Sequence, residues 1–306
     1  MHHEASGCLQ DELCLSSIMK NQYFGDINDY RKYGILRALS TSGLKIAVCW
    51  MLTENDTRSD GRRISYLQQP GNFRSFDQDL FDTLHKAVIK KNSRTIQMIQ
   101  KHRFISQARY LNELVSDTID HRQKYFERLS HIAQDSDLIF FDPDNGIEVK
   151  SKLKGKKDSN KYLYWDEVER FWKHGHSLLI YQHFPRVNRF DYIRKLSSEL
   201  CLKTGANELI TFKTSTVAFF LLPQLRHRKK IRSAVDSIQK DWKGMIEVYH
   251  LQGRSPLNKR RVKLNVPTNI FIKFEISIRC TPFCRSKDPR QEMHQRMDLL
   301  GSHCQG

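Results

Sequence analysis

Short apolar runs alternate with amphipathic segments over most of the chain. Continuous apolar runs of a few residues are typical of strands buried on both faces, whereas apolar residues three or four positions apart are typical of helices. The runs predict strands at 45–52, 137–141, 177–181, 208–212, 217–222 and 245–250. The spaced patterns predict helices at 28–40, 77–101, 106–133, 165–173, 190–202 and 227–242.

The order of these elements predicts the fold class. Strands that alternate with helices between 137 and 202 favour parallel pairing with right-handed crossovers. The strands within 208–222 are separated by only four residues, which favours an antiparallel hairpin. We therefore predict a Rossmann-like α/β fold, an open and mostly parallel sheet with helices on both faces and a terminal antiparallel strand pair. The predicted domains are a flexible lead at 1–20, a catalytic domain at 21–252 and a basic, irregular tail at 253–306.

The turn Asp142-Pro143-Asp144-Asn145-Gly146 follows the strand predicted at 137–141. In open α/β sheets, ligands bind beyond the carboxyl ends of the strands, so this turn is the first candidate for a catalytic site. Asp142 could accept a hydrogen bond from a substrate amine, and Asn145 could recognise a base edge or a carboxamide. We predict Asp142, Asp144 and Asn145 as catalytic residues. The alternative is an ordinary turn, since all these residue types favour turns.

Two other segments carry candidate binding residues. The start of the helix at 28–40 could bind an anion, and Lys32 could pair with a carboxylate. After the strand at 177–181, His183 could shuttle a proton while Arg186 and Arg189 hold phosphate. For the first segment, the alternative is a capped surface helix with solvated charges. For the second, the alternative is that His183 lies at the edge of the sheet without a functional role.

The charge balance favours polyanionic partners. The chain has 51 lysines and arginines against 34 acidic residues, a formal charge of +17. Counterion release from phosphates then favours nucleic acid, either RNA or DNA, although solubility alone would also explain the surplus. No apolar run is long enough to span a membrane and no signal peptide is apparent, so we expect a cytoplasmic protein that does not enter the membrane. The seven scattered cysteines suit a reducing compartment.

Three features together resemble class I S-adenosylmethionine-dependent methyltransferases. The Asp142–Asn145 turn is similar to the Asp-Pro-Pro-aromatic motif of amino-group methyltransferases. The strand pair within 208–222 stands where that fold has its antiparallel sixth and seventh strands. The segment GDINDYRKYGIL, residues 25–36, is similar to an N-terminal glycine–aspartate–lysine segment of bacterial 23S ribosomal RNA adenine-N6 methyltransferases.

The resemblance implies an enzyme that transfers a methyl group from S-adenosyl-L-methionine to an amino group, with nucleic acid as the substrate. It implies that Asp142 holds the target amine. Lys32 would help to bind the cofactor, with Asp29 and Gly25 beside it in the same segment. The chain has Asp144 and Asn145 where the family has a proline and an aromatic residue, so the usual stack over a flipped base is missing.

A magnesium-dependent nuclease is the main rival. Residues 143–144, followed by Glu148 and Lys150, imitate the PD-(D/E)-x-K pattern. Asp144 and Glu148 could hold Mg²⁺, and Lys150 could position the attacking water. An inactive nucleic-acid-binding module is a further alternative, because such a module would need only the basic surface.

Cysteines and histidines near the C-terminus raise the question of zinc. The candidates are Cys280, Cys284, His294, His303 and Cys304. Their spacing matches no familiar zinc finger, so we predict no metal site.

Overall fold

The structure is a computed structural model that describes residues 23–54, 63–92, 94–252 and 264–265. It divides into two units, Met1–Phe271 and Ile272–Gly306, and all described residues belong to the first. The predicted lead at 1–20, the candidate zinc ligands and nearly all of the predicted tail lie outside the described residues. Within these ranges, no helix has both the length and the apolar character needed to cross a membrane.

Eight strands form one sheet and two short strands form another. The strands are β1 (Ile46–Cys49), β2 (Arg109–Leu111), β3 (Leu138–Phe141), β4 (Gly146–Ile147), β5 (Tyr162–Leu163), β6 (Ser177–His183), β7 (Glu208–Lys213), β8 (Val217–Leu222), β9 (Glu247–Gln252) and β10 (Leu264–Asn265). The order in the large sheet is β10-β9-β7-β8-β6-β3-β1-β2, and β4 pairs with β5 separately.

The large sheet is parallel on one side and antiparallel on the other. Strands β2, β1, β3 and β6 pair in parallel. Strand β8 then lies between β6 and β7, antiparallel to both, and β9 and β10 continue antiparallel pairing. The predicted α/β fold and the terminal antiparallel pair are therefore confirmed, and β7 and β8 form the expected hairpin.

Helices cover both faces of the sheet. They are α1 (Ile27–Thr41), α2 (Pro70–Phe73), α3 (Gln78–His85), α4 (Gln97–Lys101), α5 (Ile119–Ala133), α6 (Trp165–Lys173), α7 (Arg189–Thr204) and α8 (Arg228–Asp241). Alternate residues of β1 point into two separate cores: Val48 packs on the side of α1 and α8, and Ala47 on the side of α5 to α7. Strands buried on both faces explain why the sequence shows continuous apolar runs instead of alternation.

Two helix predictions are wrong in part. Residues 106–118 do not continue the predicted helix, because 109–111 form the edge strand β2 beside β1 and the helix begins only at Ile119. The helix predicted at 77–101 is interrupted between His85 and Gln97 by a wider helical turn and by Asn92, whose φ is +47°. A residue in the left-handed region cannot continue a right-handed helix.

Candidate active site

A cavity of about 1010 Å³ opens at the carboxyl edge of the parallel strands. It is lined by the start of α1 and by the segments that follow β1, β3 and β6. Lys32, Asp142 and His183 all line it, so the structure brings together the three segments that the sequence analysis singled out. This position is where open α/β sheets bind their ligands.

The turn after β3 is fixed by Gln182, which is only 3% exposed. The Gln182 side chain accepts a hydrogen bond from the Ile147 amide at 2.8 Å and donates to the carbonyls of Asn145 and His183 at 3.1 and 2.9 Å. Gly146 has a φ of +109°, and a Cβ atom there would lie 2.3 Å from the Gln182 amide group. Only glycine therefore fits, and the carboxylate of Asp142 is held on a rigid backbone.

Sequence analysis missed Gln182 because nothing local distinguishes it. The one available signal was a polar side chain within the strand that leads to the predicted rim, since a buried polar group needs partners. We call the hydrogen bonds of the Gln182 side chain to this turn the Gln182 clamp. Asn145 contributes its backbone carbonyl to the clamp, and its side chain lies outside the lining of the cavity.

Lys32 joins α1 to the turn by a buried ion pair. Its Nζ lies 2.7 Å from Asp142 Oδ2 and 2.8 Å from Asp29 Oδ1. Asp29 Oδ2 in turn accepts hydrogen bonds from the Tyr33 hydroxyl at 3.0 Å and the Gly25 amide at 3.2 Å. Gly25 itself has a φ of +78° and lies outside the cavity lining, although its amide bonds to Asp29.

The interior of the cavity carries more negative than positive charge. Four carboxylates line it, from Asp26, Asp29, Asp142 and Asp144, and Lys32 lies among them. Burial raises the pKa of Asp142 to about 6, because Lys32 compensates only in part and Asp29 and Asp144 add repulsion. Burial, together with the repulsion of Asp29, likewise raises the pKa of Asp26 to about 6.

The positive charge of Lys32 is secure in this setting. Burial alone would lower the pKa of its ammonium, but Asp142 and Asp29 outweigh that effect and raise it. One cation therefore serves two buried carboxylates, which leaves the interior suited to a cationic ligand or to an N–H donor.

The start of α1 is capped from within the chain. The Asp26 side chain accepts hydrogen bonds from the amides of Asn28 and Asp29 at 2.7 and 3.1 Å. The anion site predicted at this helix start is therefore wrong, since an acidic cap already occupies these amides. The capped helix considered as the alternative is present, but it is buried rather than on the surface.

Basic residues line the mouth of the cavity. His183, Arg186 and Arg189 are exposed there, and the ring of His183 lies 3.1 Å from the Tyr181 hydroxyl. Arg63 also lines the mouth, a contribution that sequence analysis missed because 31 residues separate it from Lys32 along the chain.

Two features after β1 were also missed. Met51 lines the cavity with a φ of +47°, a conformation unusual for a residue with a side chain. Its neighbour Trp50 is 2% exposed, and its indole N–H has no acceptor among the described residues. A buried donor without an acceptor is costly, so it indicates a position where a ligand atom could accept.

The three residues of the nuclease alternative do not all line the cavity. Asp144 lines the cavity, whereas Glu148 and Lys150 lie outside the lining. The Glu148 carboxylate accepts a hydrogen bond from the Trp165 amide, and its own amide donates to the Leu163 carbonyl. Across the part of the chain that the structure describes, no three histidine, cysteine or acidic side chains are grouped so that they could hold a metal ion.

Comparison with known proteins adds little to this geometry. No protein family model matches the chain, and no curated protein matches it. One similar solved structure is the crystal structure of protein LPL1258 from Legionella pneumophila str. Philadelphia 1, of family-model DUF519. It is 9% identical, the match covers 73% of this chain and 97% of that chain, and the TM-score is 0.35. A likeness this weak does not bear on the chemistry of the site.

Proposed function

We propose that the protein is an S-adenosylmethionine-dependent methyltransferase that acts on an amino group of nucleic acid. The observation that carries the proposal is the carboxylate of Asp142. It is only 12% exposed, held by Lys32 and placed in a large cavity at the carboxyl end of β3. The methyltransferase resemblance assigns the amine-holding role to this residue.

The cavity suits the proposed cofactor in size and charge. Sites for small ligands commonly measure roughly 300–1,000 Å³, so about 1010 Å³ leaves room for a cofactor and a reacting base together. S-adenosylmethionine carries a sulfonium and an ammonium group, which would reduce the repulsion among Asp26, Asp29 and Asp142. Its carboxylate and purine nitrogens would offer an acceptor to the Trp50 N–H.

Asp142 has one carboxylate oxygen available for the target amine. Lys32 contacts Oδ2, whereas Oδ1 accepts no hydrogen bond from any described residue. Oδ1 would accept an N–H of the amine and direct the nitrogen lone pair, and the bound cofactor supplies the electrophilic methyl group. As the N–C bond forms, the S–C bond would break to leave a neutral thioether, and the nitrogen would release its extra proton to solvent water. In such a reaction the protein contributes chiefly by orientation, which can lower a barrier by several kcal/mol.

Calorimetry with S-adenosylmethionine tests the proposal. The wild-type protein should release or absorb heat on binding. Lys32→Ala should bind at least about tenfold more weakly, because Lys32 bonds to both Asp29 and Asp142 and its loss removes the contact that positions these two carboxylates in the site. Lys230→Ala, which removes a half-exposed lysine that pairs with Asp137, is the control and should bind as the wild type does. Circular dichroism should first show that each variant is folded. Absence of heat with the wild type at high protein concentration would contradict the proposal.

A further inference from the structure

Two large apolar side chains are exposed on the segment that reaches the mouth of the cavity. Val187 is 57% exposed and Phe190 is 51% exposed, and both belong to the stretch that leads from β6 into α7. Single exposed apolar residues are common and need no explanation. These two, however, flank Arg189 within four residues, and Val187 and Arg189 both line the cavity.

The ring of Phe190 is held in place although half of it meets solvent. It packs edge-on against Tyr249 with 5.6 Å between the ring centroids. Lys213 Nζ, which is paired with the Glu247 carboxylate, lies 5.9 Å from the centre of the Phe190 ring and 6.0 Å from that of Tyr249. A fixed aromatic ring with an open side beside cations is the arrangement on which nucleic-acid bases stack.

Charge divides this edge of the molecule into two zones. Arg63, Arg186 and Arg189 line the mouth, and all three are exposed. The interior, by contrast, holds four carboxylates and Lys32. A phosphate is therefore attracted to the mouth and repelled by the interior, whereas a base with N–H groups is acceptable inside.

We propose that the mouth binds a single-stranded segment of nucleic acid, with one base stacked on Phe190, phosphates on Arg186 and Arg189, and a neighbouring base directed inward. A duplex keeps its bases stacked and paired, so it must first flip a base out before it can offer a ring face to Phe190 or an amine to Asp142, whereas a single strand avoids that cost. This inference deepens the proposed function, because it names the substrate, but its test needs no methyl transfer.

The test is fluorescence anisotropy with labelled twelve-nucleotide RNA and DNA of one unstructured sequence, each as a single strand and as a duplex. At least one single strand should bind more tightly than its own duplex. Phe190→Ala should weaken that binding roughly tenfold, the usual effect of losing one stacking partner. The matched control is Leu202→Ala, which removes an 83% exposed side chain from the same helix and should leave binding unchanged.

Salt dependence tests the arginines. A plot of log affinity against log salt concentration has a negative slope. Its magnitude should decrease by about 0.7 for each of Arg186→Gln and Arg189→Gln, as expected for the loss of one phosphate contact on a single strand. Equal binding of single strand and duplex, or equal binding by Phe190→Ala and Leu202→Ala, would overturn the inference. Calorimetry separates the two proposals. Phe190→Ala should still bind S-adenosylmethionine. If the wild type fails to bind the cofactor, only the proposed methyltransferase function is contradicted, and the proposal of single-strand binding is unaffected.

Discussion

An aspartate lies at each end of β3, and the two carboxylates are in opposite electrostatic environments. Asp137 precedes the strand and accepts from the Lys45 amide at 3.1 Å, with Lys230 and His227 each 3.3 Å away. Burial would raise the pKa of Asp137, but these partners outweigh it and the pKa lies below its usual value. Asp142 follows the strand, shares one lysine with Asp29 and has a pKa raised to about 6.

The difference separates a structural carboxylate from a candidate functional one. Asp137 is neutralised and lies outside the lining of the 1010 Å³ cavity, so we assign its charge to the stability of the fold. Asp142 is compensated only in part and faces space for a ligand. Perturbed carboxylates in a cleft are typical of functional sites, since the missing stabilisation becomes available to a ligand.

The amino end of the sheet also shows that residue types alone do not identify a catalytic site. Ser177 Oγ lies 2.9 Å from His227 Nδ1, and His227 Nε2 lies 3.3 Å from Asp137, which imitates a catalytic triad. Ser177 is fully buried, however, and its oxygen accepts a hydrogen bond from the Gln224 amide. No substrate can reach it, so we assign this group to the structure.

Removal of Lys32 should have the largest effect on stability. Lys32→Ala leaves Asp29 and Asp142 buried without their cation, which should lower the free energy of unfolding by roughly 3–5 kcal/mol. Lys230→Ala removes a half-exposed partner of Asp137 and should cost less than about 1 kcal/mol. Urea denaturation of both variants at pH 7 measures the difference. Equal losses would show that the two carboxylates do not differ as described.

Substitution of Gly146 should have the next largest effect. Gly146→Ala combines a positive φ with a clash against the Gln182 clamp, so we expect a loss of roughly 1–3 kcal/mol in the free energy of unfolding. Gly205→Ala is the matched control, because Gly205 has a φ of +73° but no atom within 4 Å of the added Cβ. The same denaturation experiment should show a smaller loss for Gly205→Ala. A loss as large in the control would mean that the clamp does not matter.

The pH dependence of stability should distinguish the two aspartates by about 1 kcal/mol. The pKa of Asp142 is about 6 in the folded protein and lies near 3.8 when unfolded, so the folded state binds the proton more tightly. Its contribution to the free energy of unfolding therefore rises by about 1 kcal/mol as pH falls from 7 to 5. Asp26, whose pKa is also raised to about 6, should add a similar rise, so Asp142→Asn should remove about 1 kcal/mol of the total and leave the part due to Asp26.

Asp137 should behave differently in the same pH range. Its lowered pKa means that its stabilisation is present above pH 3.8 and is lost only at lower pH, so Asp137→Asn should keep the rise between pH 7 and 5. Chemical denaturation at the two pH values measures both variants. A rise that is unchanged in Asp142→Asn but smaller in Asp137→Asn would reverse the assignment.

Sequence patterns predicted the elements whose structure depends on residues close together in the chain. Continuous apolar runs located the central strands, and α6 occupies the predicted residues 165–173. Strand β2 was missed because three residues, of which only Leu111 is buried, produce no run. Its neighbouring apolar positions instead imitated helical spacing.

The candidate site was predicted in its main residues but not in its contacts. The turn at Asp142 and the lysine at 32 were both singled out, yet 110 residues separate them and no pattern pairs them. Gln182 acts on the turn from 35 residues away, and the unsatisfied Trp50 N–H exists only in the folded chain. Such features depend on tertiary packing, which single-sequence patterns do not contain.

Methyl transfer from labelled S-adenosylmethionine to single-stranded RNA and DNA tests the central role of Asp142 most directly. The wild type and Asp137→Asn should label at least one of the two strands. Asp142→Asn should remain folded and lose labelling by roughly 100-fold or more, because the amine loses its anionic acceptor. Labelling by Asp142→Asn at the wild-type rate would contradict the account.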